Sequence, residues 1–520
     1  MRILKYPFHP YVFSVTPALA LFSQNRSKLA YDELLFSLAF IALLVFLISF
    51  IVNLLIRNKT RTAILMTILS FITFGFVEIF NNWSDWLPLS EVAKNETVML
   101  VIGSVIILLS FLLMVRKRAD MKRTTSFLNL YSVIVLILAL ISISGFEIER
   151  ARKMKELQSQ KDITKFYKDN SGDIGTLSNN SKSRPDIYYI VLDTYARDDV
   201  LKNIYSFDNS AFIKELEKRD FKVSKTSSTN YTFTQLSLSS SLNMEYIDYL
   251  TDVLGKKSKN PSIPYQMIKN NEAQKFVRSK GYETVIFSTG WGPTKRNRYV
   301  DTSYAFLPYL LDEFNRVLLE STTFHPLLRP AIKNFARRRI LYNFDRLSDV
   351  PKNEKPTFAV AHFILPHQPY LFDRKGNPVS LGKFEMGGDV WKYKDAYIDQ
   401  LVYTNNKTLK VVDKILKDSQ EPPIIILLSD HGPSSTRGWD DPSDKLLNER
   451  MNILTAIYTP EKNIELFDED ITPVNYLRMV FNHYLEGDFE RLDDINYFSS
   501  KQRPYEFIDV SDKLRRNGGR

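Results

Sequence analysis

Long apolar runs fill the first 145 residues of the chain and then stop. The runs Leu34–Ile56, Ala63–Phe80, Val98–Val115 and Phe127–Ser144 are each near the ~20 residues that a membrane-crossing helix requires. They predict four spans. An earlier run, Pro7–Phe22, is shorter and carries His9, Pro10 and Pro17; it reads as a fifth span, a re-entrant piece or a buried amphipathic segment. A cleaved signal peptide is not expected, because further spans follow directly and no small-residue cleavage site stands out. Residues 146–184 change character: Glu147–Gln160 is charged and predicts a helical stem, and Asp169–Arg184, rich in Ser, Asn, Gly and Lys, predicts a flexible linker. From Pro185 the period changes again. Short apolar runs at Ile187–Leu192, Thr284–Phe287, Phe358–Phe363, Ile424–Leu428 and Leu454–Tyr458 alternate with helix-like stretches such as Ser210–Arg219 and Tyr393–Lys417. That alternation predicts a parallel or mixed sheet covered by helices on both faces. The expected division is therefore 1–145 membrane, 146–184 stem and linker, 185–500 catalytic, and 501–520 a basic tail.

Charge refines this picture. The formal net charge is +10, but the basic residues flank apolar runs instead of forming a stripe suited to nucleic acid. Arg57, Lys59 and Arg61 crowd one loop; Arg116, Lys117, Arg118, Lys122 and Arg123 crowd another. Between them lies Asn81–Glu96, with Asp85, Glu91 and Glu96 against Lys94, and Trp83 and Trp86 as interface anchors. The positive-inside rule places both basic loops in the cytoplasm. Everything after Gly145 is then expected outside it, in a multi-pass protein of the plasma or inner membrane. Cysteine is absent, which excludes disulfides, thiolate metal sites and a cysteine nucleophile.

Four segments carry chemistry. The apolar run Ile424–Leu428 stops on Ser429-Asp430-His431-Gly432, and ligands of open α/β sheets bind at such strand ends. Ile187–Leu192 stops on Asp193. The run from Phe358 leads to Pro366-His367-Gln368-Pro369-Tyr370. Asn230–Asn243 contains Thr234-Gln-Leu-Ser-Leu-Ser-Ser-Ser-Leu and reads as a loop entering a helix whose first turn is rich in hydroxyls, a setting that favours bound anions. Taken singly, Asp193 or Thr234 also serves as an ordinary helix cap and His367 as a turn residue. Together, five polar residues at strand ends and a helix start predict one convergent site.

In order and spacing these segments resemble the sulfatase-like branch of the alkaline phosphatase superfamily. With the membrane part included, the layout resembles lipoteichoic acid synthases and related phosphoglycerol and phosphoethanolamine transferases. The resemblance implies an α-helical transmembrane bundle followed by an α/β domain with a central mixed, mostly parallel sheet. It implies one divalent metal ion (Mn, Zn or Mg) held by Asp193, Asp430, His431 and Thr234, with Thr234 as the nucleophile. It further implies that His367 binds phosphoryl oxygens or protonates the leaving group, and that Trp291, Arg298 and Arg296 lie against a substrate head group.

The chain departs from sulfatases proper, whose formylglycine arises from the Cys or Ser of a C/S-x-P-x-R motif. Thr234 cannot become formylglycine, and neither Pro nor Arg follows it at the required positions. The expected activity is phosphotransfer or phosphodiester cleavage through Thr234 on a phospholipid head group, with an envelope glycan or lipid as acceptor. The competing expectations are sulfate-ester hydrolysis on an exported glycan and a catalytically silent binding protein. The expected partners are the lipid bilayer and a phospholipid or glycan substrate, and no nucleic acid.

Overall fold

The computed structural model describes residues 6–75, 96–116, 120–157, 165, 184–308, 310–379, 393–435, 441–461 and 467–518. The expected Trp-bearing loop before Glu96, the end of the Ala63–Phe80 run, Lys117, Arg118 and most of the predicted linker lie outside these residues. The chain divides into two compact units. One comprises Met1–Glu156 together with Leu307–Ile332; the other comprises Leu157–Phe306 and Lys333–Arg520.

In the first unit, five helices follow the apolar runs: α1 (His9–Asn25), α2 (Tyr31–Ile56), α3 (Lys59–Phe74), α4 (Glu96–Arg116) and α5 (Lys122–Leu157). Among the described residues α2, α4 and Lys122–Ile148 of α5 are long and apolar enough to cross a membrane. The helices α1 and α3, of 17 and 16 residues, are shorter. Ala18, Leu19 and Phe22 of α1 are buried with Leu34, Ile41 and Val45 of α2 and Met66 of α3. Leu35, Phe40, Phe50, Leu108 and Leu138 point outward and are exposed, the pattern of helices whose solvent is lipid. Arg61 at the start of α3 donates to the Met114 carbonyl near the end of α4 at 3.1 Å, so the start of α3 and the end of α4 share one end of the bundle.

Leu307–Ile332, which lies between strands of the other unit in sequence, packs on this bundle. Asp312 caps the helix Glu313–Glu320 by accepting from Asn315 N–H at 2.9 Å. Phe314 and Leu318 then enter the apolar cluster of α1 and α2.

The second unit is built on a seven-stranded sheet in the order β2-β7-β6-β1-β5-β3-β4. The strands are β1 (Ile187–Leu192), β2 (Lys222–Val223), β3 (Glu283–Phe287), β4 (Thr302–Tyr304), β5 (Thr357–Phe363), β6 (Ile424–Leu428) and β7 (Thr455–Tyr458). The strands β6, β1, β5, β3 and β4 are parallel, while β7 runs antiparallel to β6 and pairs antiparallel with the edge strand β2, which therefore runs with the others. Strands β1, β5 and β6 are wholly buried, as continuous apolar strands covered on both faces must be. Alternation sorts their side chains. Tyr188, Ile190 and Leu192 pack with Tyr397, Leu401 and Val412 of the helix Lys394–Asp418. Ile187, Tyr189 and Val191 pack with Leu238 and Leu242 of α6 (Thr234–Asn243) and with Leu477 and Val480 of the helix Pro473–Leu485. Within the expected tail, Ile508–Asp509 pairs with Tyr497–Phe498, and Val510 and Leu514 are buried against Leu446, Leu447 and Met451.

Candidate metal centre

The three central strands aim their ends at one point. In β1, β5 and β6 the side chains facing α6 are Val191, Val360 and Leu428 near the carboxyl ends. One further step of two residues along each chain gives Asp193, His362 and Asp430. These three are buried, and one ligand atom from each lies within 4.8 Å of the others. Strand register places Val191 opposite both His362 and Leu428, so Asp193 and Asp430 stand level and His362 one step behind. A group of two carboxylates and an imidazole suits a Zn- or Mn-like divalent ion.

The fit goes beyond residue type. His362 Nε2 and Asp430 Oδ2 are buried and make no hydrogen bond, although Asp193 Oδ2 stands 3.4 Å from the first and His431 Nε2 3.3 Å from the second. Buried polar atoms of this kind are costly unless a ligand satisfies them. The opposite nitrogens are held. Thr294 Oγ1 hydrogen-bonds His362 Nδ1 at 3.1 Å, and His431 Nδ1 donates to the Gly432 carbonyl at 3.1 Å. That second bond leaves the His431 Nε2 lone pair facing inward, as a metal-binding imidazole requires.

Thr234 opens α6. The helix cap is Phe233, with extended backbone, and the Thr234 hydroxyl takes no part in capping. Its Oγ1 instead meets His431 Nε2 at 3.0 Å and is almost fully buried. The hydroxyl thus sits at a helix N-terminus beside the carboxylate pair.

The connecting turns are shaped for this convergence. Thr194 adopts φ 67°, a left-handed conformation that a threonine rarely takes. It donates from Oγ1 to Asp193 Oδ1 at 2.8 Å and from its N–H to Asp430 Oδ1 at 3.3 Å. After His431 the chain passes so close to the next helix that a Cβ on Gly432 would lie 2.1 Å from the Glu449 carbonyl oxygen. Arg450, fully buried, donates to the carbonyls of Thr232 and Gly432 at 2.8 and 2.6 Å. It thereby ties the loop before Thr234 to the turn after His431.

Electrostatics separates the two carboxylates. Burial raises both, but around Asp193 the neighbouring imidazoles of His367, His362 and His431 outweigh it and hold that carboxyl well below the usual range. Asp430 is pushed up to about 6, first by burial and then by the neighbouring Asp193 charge. His431 is driven well below the ordinary imidazole value by burial and by Arg450, so it is neutral and able to donate a lone pair.

Of the sequence-expected residues, Asp193, Thr234, Asp430 and His431 come together here. His367, half-buried, follows β5; its N–H donates to the Asp193 carbonyl at 3.1 Å, and its Nδ1 is bonded to the Gln368 carbonyl. Trp291 reaches the group, its ring 5.9 Å from that of His362. The turn leading to it favours glycine, since Gly290 adopts φ 77°, a left-handed conformation in which any side chain is strained. Arg298 is exposed, with its guanidinium over the Tyr299 ring at 4.9 Å and donating to the Tyr299 hydroxyl at 2.8 Å, which ties it to Tyr299. Arg296 is half-buried in the same loop. The sequence reading overlooked His362 and Thr294. The signal for His362 was available: it is the one polar side chain on the α6-facing positions of an otherwise apolar β5.

Residues 185–466 match the family described as Sulfatase. A comparison with curated proteins finds no match. Among solved structures, the periplasmic domain of EptC from Escherichia coli aligns at 15% identity over 65% of this chain and 96% of that one, with TM-score 0.42. The integral membrane lipooligosaccharide phosphoethanolamine transferase A from Neisseria meningitidis aligns at 14% identity over 92% of this chain and 95% of that one, with TM-score 0.39. The phosphonate monoester hydrolase of Agrobacterium radiobacter aligns at 11% identity over 64% and 83%, with TM-score 0.40.

Proposed function

Because the chain belongs to the sulfatase family over more than half its length, we propose that it is a membrane-anchored, metal-dependent phosphotransferase or phosphodiesterase acting through Thr234 outside the cytoplasm. The observation that carries this reading is the buried Thr234 hydroxyl, 3.0 Å from His431 Nε2 and beside the Asp193–His362–Asp430 group. Those residues, with His431, would hold one divalent ion, which supplies charge neutralisation and a lowered pKa for the coordinated hydroxyl.

The rest falls to the protein. The Thr234 hydroxyl gives its proton up to solvent and its oxygen attacks the phosphorus of a phosphodiester, with a phospholipid head group as donor. A phosphothreonine diester forms while the bond to the leaving alcohol breaks. His367, with Nδ1–H committed to a backbone carbonyl, would take up a proton from solvent on its other nitrogen and deliver it to that alcohol. An acceptor hydroxyl on an envelope glycan or lipid, or water, then attacks the same phosphorus and releases Thr234. The N-terminus of α6 points partial positive charge at the phosphoryl oxygens throughout. Trp291 forms one wall of the site beside His362.

Threonine favours phosphate over sulfate, because it cannot supply the aldehyde hydrate on which formylglycine sulfatases depend. The test is intact-mass measurement of the detergent-purified protein after incubation with a phospholipid extract and each divalent metal in turn. A phospho-head-group mass on wild type that is lost in Thr234→Ala is the expected result. Sulfate release by the wild type with no adduct would replace this reading with the sulfatase one.

A further inference from the structure

The segment Leu307–Ile332 interrupts the second unit in sequence and belongs to the first. Its contacts are with particular helix ends. Ser37, near the start of α2, donates to Asn315 Oδ1 at 2.7 Å. The Thr323 N–H and hydroxyl donate to the carbonyls of Thr73 and Ile72 at the end of α3, at 2.9 and 2.6 Å. Arg329 pairs with Glu96 at the start of α4, and Phe314 stacks edge-on against Phe22 near the end of α1, with centroids 6.5 Å apart. All four are the ends opposite those that carry Arg57, Lys59, Arg61 and Arg116. By charge they are the extracytoplasmic ends.

One face of the segment is thus fully engaged. The other presents Leu307, Leu310 and Leu327, which are 53%, 44% and 65% exposed. They are joined to a bundle whose own surface at this level is apolar and exposed, with Leu35 at 63% and Phe40 at 52%. An apolar surface continuous with membrane-crossing helices, at the level where those helices end, matches the boundary between head groups and acyl chains. Nothing in the segment requires metal or substrate.

We propose that Leu307–Ile332 is an interfacial anchor, with Leu307, Leu310 and Leu327 inserted into the outer lipid leaflet. The occupant is the bilayer itself. This rests on reading α2, α4 and α5 as membrane spans and is independent of the chemistry at Thr234.

The absence of cysteine makes the test clean. Single substitutions Leu307→Cys, Leu310→Cys and Leu327→Cys, with Ser303→Cys as an exposed reference in the other unit, are introduced into the full-length protein. Each is nitroxide-labelled and reconstituted in vesicles of phosphatidylglycerol and phosphatidylethanolamine. The expected result is that labels at 307, 310 and 327 collide with lipid-soluble oxygen several-fold more, relative to a water-soluble nickel chelate, than the label at 303. Equal nickel accessibility at all four positions would overturn the proposal. The readout needs no turnover, so an inactive protein with lipid-buried labels would count against the Thr234 reading and leave the anchor standing.

Discussion

His362 occupies a position where the alternation of β5 calls for another aliphatic side chain, and its neighbours treat it accordingly: one nitrogen is held by Thr294 and the other is left without a hydrogen bond in a buried space. A residue that orients a ligand through its far nitrogen typically matters 10–100-fold for metal affinity. Thr294→Val should therefore weaken binding of the site's divalent ion by roughly 10–100-fold, read by competition with a metal buffer, while the unfolding temperature of the metal-free protein stays nearly unchanged. Asp430 supplies a pH prediction. Its carboxyl is raised to about 6 by burial and by Asp193, so protons compete with the ion below that value. In the metal-free protein the sign is opposite: a raised carboxyl contributes its stability at low pH and loses it as pH rises through about 6. Metal affinity measured from pH 8 to pH 5 should fall most steeply near 6, and Asp430→Asn should bind weakly with a flatter profile. Asp193, Asp430 and His431 were legible because each ends or follows an apolar run in the sequence. Thr234 was legible only in company, since a hydroxyl before a helix is ordinarily a cap, and the structure assigns the cap to Phe233. His362 lies inside its strand, where polarity reads as noise unless parity is counted.

The elements that build the site differ in how far local pattern specifies them. Strands β1, β5 and β6 are short apolar runs buried on both faces, and such runs announce themselves. Strands β2 and β4, of two and three residues, are too short to show a period, and the antiparallel direction of β7 is set by connections that no run of residues encodes. The turn after β6 is a sharper case. Sequence shows a glycine after His431, but not that the Glu449 carbonyl oxygen would stand 2.1 Å from its Cβ. Gly432→Ala should cost about 1–3 kcal/mol, the usual range for overpacking, and should also lower metal affinity by displacing His431. Chemical denaturation and a metal titration on the same preparation separate the two effects. Leu238, which is 2% exposed and faces β1 from α6, tests the packing that seats Thr234. Leu238→Ala should cost about 2–5 kcal/mol and reduce turnover with metal still bound.

At the scale of the whole molecule, hydropathy separates a membrane part from an α/β part and misses the return of the chain to the first. Leu307–Ile332 is too charged to register as a span, carrying Asp312, Glu313, Arg316, Glu320 and Arg329, and its apolar residues serve one side of an eight-residue helix and its flanks. Its membership of the first unit comes from tertiary partners far away in sequence, such as Phe22 for Phe314 and Glu96 for Arg329. The chain accordingly crosses between its units after Glu156, after Phe306 and after Ile332. A fragment cut at the predicted linker, residues 184–520, therefore carries a piece of the other unit. Removed from α1 and α2, Phe314 and Leu318, 2% and 5% exposed in the full chain, lose their cover and join Leu307, Leu310 and Leu327 as an apolar surface. Surfaces of this kind on a water-borne protein drive association. The fragment should elute from gel filtration as oligomers or aggregates without detergent and as a single smaller species with it. Replacing residues 307–332 in the same fragment by a Gly/Ser linker should give that smaller species in both conditions. If the unaltered fragment elutes as a monomer without detergent, the segment has other cover within the second unit, and its assignment to the first would fail.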